Sequence, residues 1–431
     1  MSEMINFWYG NIPDGWNLER LQWQLDEIKE NNNPVKTDYI LSLTNKLGVV
    51  PYSEKGNQGN VAKESLEGYK IAYPDTIVAN SMNVLIGSVG YCKYYGCVSP
   101  VYYVFKGNGK SNIFFLNYVF QTEAFQKELR KYANGILEIR LRVSASDILK
   151  RKVPIPPLTI QNKIVEVLDD KIGKIDALIA NENKQIEKLE EYKKAVITKA
   201  VTKGLDPNAR MKDSGVQWIG KIPEGWNTIK IKFTSWLKGR IGWDGLKSSE
   251  FIDEGPFLIT GTDFENGHIN WNTCVHISEE RFQEDELLHI KENDLLITKD
   301  GTIGKLAIVE NCPEKVSLNS GVMIIRNDSN YKYVDRYMYY LLQSNQFNLW
   351  FELSQSGNST IRHLYQGQFY DFEYTYPSLF EQQQIANYLD NKCKKISKII
   401  EIKKSKIEKL QDYKKSLIYE YVTGKKEVSN A

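Results

Sequence analysis

A 47-residue stretch of this chain occurs twice. Pro156 to Thr202 and Pro377 to Thr423 align without a gap at a constant offset of 221, with 20 identities. Self-similarity at so long a period marks a duplicated unit rather than a solenoid repeat. Each copy reads as a long amphipathic helix. Leu168, Ile172, Ile175, Ile179, Ile186, Leu189 and Val196 follow steps of three, four and seven, which keep one stripe of a helix apolar. The second copy supplies Leu389, Cys393, Ile396, Ile400, Ile407, Leu410 and Leu417, and Lys, Glu, Asp and Asn fill the flanks of both. Roughly 44 helical residues at ~1.5 Å each would reach ~66 Å, more than a compact domain needs, so these helices are expected to be spacers.

Both stripes break at one equivalent position, Glu182 in the first copy and Lys403 in the second. If the helices pair antiparallel about a pseudo-twofold axis, equivalent positions near the axis meet. Opposite charges at Glu182 and Lys403 would then set the register.

The duplication reaches beyond the helices. Trp8 to Trp16 reads WYGNIPDGW and Trp218 to Trp226 reads WIGKIPEGW, each with a Pro, an acid and a Gly that mark a tight turn. Strand-like segments follow each opener. Asn83 to Cys92 aligns with Asp294 to Lys305, read as an apolar strand followed by the glycine turn Gly87 to Gly90 or Gly301 to Gly304. Helical stretches come next, Leu116 to Tyr132 and Val334 to Leu353, and then loops in which Gly135 precedes Arg140 and Gly357 precedes Arg362 by five. Leu205 to Gly215 has the composition of a linker. The boundaries expected are a first domain over 1–155, a helix over 156–204, linker and second domain over 205–376, and a second helix over 377–425. The fold class expected is α+β: two mixed α/β domains joined by two long antiparallel helices, a coiled coil with internal pseudo-twofold symmetry.

Composition narrows the function classes. A net charge of +2 means that any nucleic-acid surface must come from local clustering. Five cysteines without a C-x-x-C pair fit a reducing compartment, and no run approaches ~18 apolar residues, so a cytoplasmic, membrane-free protein is expected. The four histidines form no H-E-x-x-H, Val104 stands where a phosphate loop needs its first Gly, and no methyltransferase or nuclease motif appears. The expected catalytic residues and metal ligands are therefore none.

What remains is recognition chemistry. Glycine turns permit close backbone approach, and the hydroxyls of Ser88 and Thr302 can bond a phosphate or a base edge. Tyr91, Lys93 and Tyr94 follow the first turn, and Lys299 and Lys305 flank the second. Arg140, Arg142, Arg362 and His363 sit in loops where an Arg fork can clamp phosphate or read guanine. The apolar helix stripe, including Leu168, Ile172, Leu389 and Leu417, is the expected surface for helix pairing and partner docking.

The second opener with its lead-in (MKDSGVQWIGKIPEGW), the D-G-T-I-G-K turn at Asp300 to Lys305, and the repeated helix resemble the specificity subunit of Type I restriction-modification enzymes. The resemblance covers essentially the whole chain. It implies a non-catalytic subunit with two target recognition domains, each reading half of a bipartite site on double-stranded DNA. The helices would act as a ruler and dock two methyltransferase subunits. Those partners would hold S-adenosylmethionine, leaving no cofactor in this chain, and motor-nuclease subunits would complete the complex. Half-sites about one DNA turn apart, ~34 to 36 Å, would put both readers in the major groove on one face. A coiled-coil scaffold that binds no DNA is the alternative, and a mobility shift with the partner methyltransferase separates the two.

Overall fold

A computed structural model describes residues 7–44, 48–56, 61–63, 65–135, 141–241, 245–327, 332–355 and 362–428. Two compact units make up the chain. The first comprises Met1–Asn183 with Lys404–Ala431, and the second Lys184–Lys403. Both long helices are present, Leu158–Lys203 and Leu379–Val422, and each contributes one part to each unit.

The same plan builds both units. A strand just after the opener pairs antiparallel with the strand that leads into the long helix: Asn17–Arg20 with Lys152–Ile155 in unit 1, and Asn227–Lys230 with Glu373–Tyr376 in unit 2. A central antiparallel sheet follows. In unit 1 its order is Leu25–Ile28, Tyr102–Gly107, Thr76–Asn80, Val89–Cys92. In unit 2 the equivalent four are Ser235–Gly239, Val322–Asn327, Leu295–Thr298 and Leu306–Ile308, and a hairpin, Phe264–Glu265 with His268–Ile269, extends that sheet by two strands.

Two sequence expectations change here. Val84–Ile86, read as part of a strand, is a 3-10 turn, and the strand it was matched to corresponds to Thr76–Asn80 instead. Each helical stretch after the strands is two helices. Ile113–Gln121 and Glu123–Arg130 break at Thr122, and Asp335–Gln343 and Asn345–Ser354 break at Ser344. Both hydroxyls bond a carbonyl three residues back and cap the next helix, a local competition that ends a helix whose apolar pattern runs on. The segment read as a linker also carries structure, since Met211–Asp213 pairs with Lys221–Pro223.

One duplicated side chain ties each long helix to its unit. The buried Gln161 donates to the Pro156 carbonyl at 2.8 Å and accepts the Asn112 N–H at 2.8 Å. Gln382, its equivalent, donates to the Pro377 carbonyl at 2.9 Å and accepts the Val334 N–H at 2.9 Å. The amide therefore joins the first turn of the long helix to the cap of the short helix above it. Gln161→Ala or Gln382→Ala strands a buried carbonyl and a half-buried N–H, each change costing about 1–3 kcal/mol. A thermal melt of the full chain should show a lower midpoint for either variant, and an unchanged midpoint would contradict the latch.

Each unit's core closes on both helices. Unit 1 buries Ile164, Leu168, Ile172 and Ile175 together with Leu417, Ile418, Tyr421 and Val422. Unit 2 buries Ile197, Ala200 and Val201 together with Ile385, Leu389 and Cys393. Ile186, Ile396 and Ile400 are also buried, and Ile179, Leu189, Ile407 and Leu410 are half-buried. Polar pairs give the direction. In unit 1 Lys414 bonds Asp176 and Lys406 bonds Glu182, while in unit 2 Lys403 bonds Gln185 and Lys193 bonds Ser397. Residue number rises on one helix as it falls on the other, so the helices run antiparallel in each unit. Glu182 is buried and accepts from Lys406 Nζ at 2.6 Å.

The openers cover the helix ends. Gly204 and Gly424 adopt φ of +72° and +75°, the left-handed step that terminates a helix. A Cβ on Gly204 would meet Trp226 at 3.2 Å, and one on Gly424 would meet Pro13 at 2.4 Å. The first opener thus lies on the end of the second helix, and the second opener on the end of the first.

Candidate nucleic-acid interface

In each unit three loops are zipped together at one end of the central sheet. In unit 1 the strand Thr76–Asn80 runs into residues 81–88. There Ser81 N–H donates to the Val101 carbonyl at 3.2 Å, and the Ser81 carbonyl accepts Val143 N–H at 3.1 Å. In unit 2 the strand Leu295–Thr298 runs into residues 299–305. Lys299 N–H donates to the Gly321 carbonyl at 2.9 Å, and its own carbonyl accepts Leu364 N–H at 3.0 Å. Ser81 therefore matches Lys299, and Val143 matches Leu364. Arg142 is then the counterpart of His363.

The two rims share this frame but not their surfaces. In unit 1 the 3-10 turn Val84–Ile86 leaves Ile86 62% exposed, and Gly87 ends it at φ +83°. In unit 2 the turn from Asp300 to Gly304 needs two left-handed glycines, Gly301 at +65° and Gly304 at +84°. Thr298 braces it: its hydroxyl donates to the Thr302 carbonyl at 2.6 Å and accepts Lys305 N–H at 2.9 Å.

Unit 2 brings most of its expected residues to this rim. Thr302, Lys305 and Arg362 are exposed there. His363 is hydrogen-bonded to Asp300 with its ring 4.3 Å from that of Tyr365, and Arg362 pairs with Glu352. Lys299 is different, being only 7% exposed. Its ammonium donates to the Arg240 carbonyl at 2.9 Å, and burial holds its pKa below the ordinary lysine value. The neighbouring buried Arg240 donates through Nε to the Leu318 carbonyl at 3.1 Å. Both act as struts beneath the turn.

Unit 1 divides its expected set. Arg142 is exposed at the rim, and its backbone pairs with Asn134. Ser88 is 2% exposed, so its hydroxyl is enclosed under the turn. Because Thr76 lies opposite Cys92 and Ala79 opposite Val89, the chain leaves Cys92 at the far end of the sheet, where Lys93 and Tyr94 sit. Lys93 stacks its ammonium 5.3 Å from the Tyr94 ring centre. Tyr91 donates to Asp75 and lies 4.4 Å from the Phe114 ring. That carboxylate partner, with some burial, pushes the Tyr91 hydroxyl up to about 12. Arg140 lies outside the described residues.

Ile86 is the rim residue that sequence reasoning missed. Its apolar neighbours suggested a strand, and the signal against that reading was the Gly87 that follows at once. In unit 2 an exposed hydroxyl, ammonium and guanidinium with a half-buried imidazole supply donors for phosphates and purine edges, and in unit 1 an exposed guanidinium does so beside one aliphatic tip suited to a thymine methyl. Among the described residues no group of three His, Cys, Asp or Glu side chains could hold a metal ion, and no helix is long and apolar enough to cross a membrane.

Comparison with known proteins agrees with this geometry. Residues 22–190 and 224–427 match the family described as the Type I restriction modification DNA specificity domain. The type I restriction enzyme MjaVIII specificity subunit of Methanocaldococcus jannaschii is 30% identical over 287 residues, 65% of this chain and 63% of that protein, just under two thirds of its length. The MjaX specificity subunit of the same organism is 25% identical over 438 residues, 97% of this chain and 95% of the relative. A solved structure described as the structural basis of complex assembly and conformational transition of the type I R-M system superposes with a TM-score of 0.70. It covers 96% of this chain and 98% of that one at 13% identity, a likeness of fold alone.

Proposed function

Because this chain belongs to the Type I restriction-modification DNA specificity family, we propose that its two units each read one half of a bipartite, asymmetric site on double-stranded DNA. The observation that carries this reading is one scaffold used twice under unlike rims. Ile86 and Arg142 stand in unit 1 where unit 2 has the Asp300–Gly304 turn and His363. Equal frames suit equal depths of approach to a groove, and unequal rims suit unequal half-sites. The long helices would fix the gap between the halves.

The helices also carry duplicated exposed apolar side chains. Unit 1 exposes Leu158, Leu178 and Tyr413, and unit 2 exposes their equivalents Leu379, Ile399 and Tyr192, all between 44% and 50% exposed. One equivalent set per unit supports docking of two copies of one partner, and we assign these to two methyltransferase subunits. They would hold S-adenosylmethionine and methylate adenine, and motor-nuclease subunits would cut. This chain would choose the site and make no bond, in the cytoplasm where its DNA lies.

Sequencing of methylated adenines in cells carrying this chain with its methyltransferase tests the reading. The expected result is one motif with two unlike halves and a gap of fixed length. A continuous motif, or two identical halves, would sink it.

A further inference from the structure

Unit 2 holds a cleft beside its glycine turn. In unit 2 residues 260–294 lie between the strands Ile252–Ile259 and Leu295–Thr298. That segment contains the hairpin Phe264–Ile269, turned at Asn266 (φ +51°) and Gly267 (φ +87°). It joins the sheet where Ile308 N–H donates to the Gly267 carbonyl at 2.9 Å. His268 pairs in parallel with Ile308, and Leu306 follows directly on the glycine turn, so the hairpin tip points to the rim that bears Thr302 and His363.

Between the tip, the glycine turn and the helix Asp335–Gln343 lies an open cleft of about 270 Å³, lined by Phe264, Asn266, Gly267, Lys305, Tyr339 and Gln343 among others. Its form is specified by its glycine. A Cβ on Gly267 would come within 2.2 Å of the Tyr339 hydroxyl, so any other residue would push the hairpin away. Tyr339 is held in turn by the Arg336 guanidinium, 4.8 Å from its ring centre. Gln343 donates to the Tyr339 carbonyl at 3.1 Å. Lys305 is exposed and has no carboxylate partner among the described residues.

The cleft is smaller than the ~300–1,000 Å³ usual for a small-molecule site, so it suits a protruding edge rather than a whole cofactor. Its wall is aromatic on one side, and its one charge is a cation that can only donate. The edge it fits is flat and rich in acceptors, and guanine alone among the bases shows two acceptors side by side, O6 and N7, in the major groove. We propose that this cleft reads one guanine of the second half-site, with Lys305 as donor and Phe264 and Tyr339 as the wall that excludes water. The inference rests on the DNA-reading function given above and adds the base and the residue that reads it.

The test compares methylated-adenine maps for the wild-type complex and for complexes carrying Lys305→Ala, Lys305→Met or Lys305→Arg. A bipartite wild-type motif checks the underlying reading separately. With Lys305→Ala and Lys305→Met, the preference for guanine at one position of one half-site should fall roughly ten- to a hundredfold, the discrimination one good contact supplies. The other half-site, read by unit 1, should be unchanged and reports that the complex has assembled. Lys305→Arg should keep the preference. An unchanged motif would overturn the proposal. So would a uniform loss across all sequences with a salt dependence reduced by about one charge, the mark of a phosphate contact. Lys305 is a surface side chain, and substitutions of that kind usually change stability by only about 0.5 kcal/mol, so folding should survive all three changes.

Discussion

A chain ending before Leu417 is expected to lose the fold of unit 1, whose sheet lies far upstream in sequence, while unit 2 stays folded. Leu417, Ile418, Tyr421 and Val422 are no more than 4% exposed and pack into the core of unit 1 with Leu168 and Ile172. Burial of four such side chains contributes about 6–12 kcal/mol, comparable to the ~5–15 kcal/mol that holds a whole domain folded. The cut also removes Gly424 and so uncovers Pro13 and Trp16 of the first opener. Hydrogen exchange measures the outcome strand by strand. Thr76–Asn80 and Tyr102–Gly107 should lose protection, and Leu295–Thr298 and Val322–Asn327 should keep it. Protection retained in the first pair would show that the C-terminal segment is dispensable to unit 1. A reader that assigned domains by position alone would predict damage to unit 2, so the experiment separates the two views.

The second large effect concerns the spacing of the half-sites. Four extra residues placed in both long helices, near the equivalent positions Lys184 and Ser405, lengthen each by about 6 Å and return the helix to within ~40° of its former phase. The antiparallel pairs Asp176 with Lys414 and Lys193 with Ser397 can then persist on either side of the insertions. The proposed ruler requires the gap in the methylated motif to grow by one or two base pairs, since a pair occupies ~3.4 Å of duplex. Both half-site sequences should stay as they were, because neither rim is touched. Methylation that continues at the original gap would show that the helices do not measure the DNA.

These two experiments also show where sequence reasoning reached and where it stopped. The long helices were legible because their 3.6-residue periodicity runs for many turns and is written twice, so chance alternation cannot imitate it. The openers were legible for the same reason, as a turn framed by two tryptophans in both copies. The rims were not. Val84–Ile86 looks like a strand because three apolar residues carry no period, and length is the only arbiter for so short a run. Ser88 and Lys299 were candidates for contact because they stand in or beside the glycine turns. The structure encloses both, and the tight glycine turns above them make that possible. Lys93 and Tyr94 follow the glycine turn closely in sequence. A four-residue strand carries them to the opposite end of the sheet, a displacement no local pattern records.

The amino-acid sequence alone determined that the chain is a doubled unit with two long amphipathic helices and that its family is that of DNA specificity proteins. Those conclusions depend on periodicity, repetition and residue type, which are properties of neighbours along the chain. Only the tertiary structure decided that each compact unit takes the end of the other copy's helix into its core, that Arg142 stands opposite His363 in the two frames, and that a hairpin borders a cleft beside Lys305. Those are contacts between residues far apart in sequence, selected by which buried surfaces and hydrogen bonds can be satisfied together.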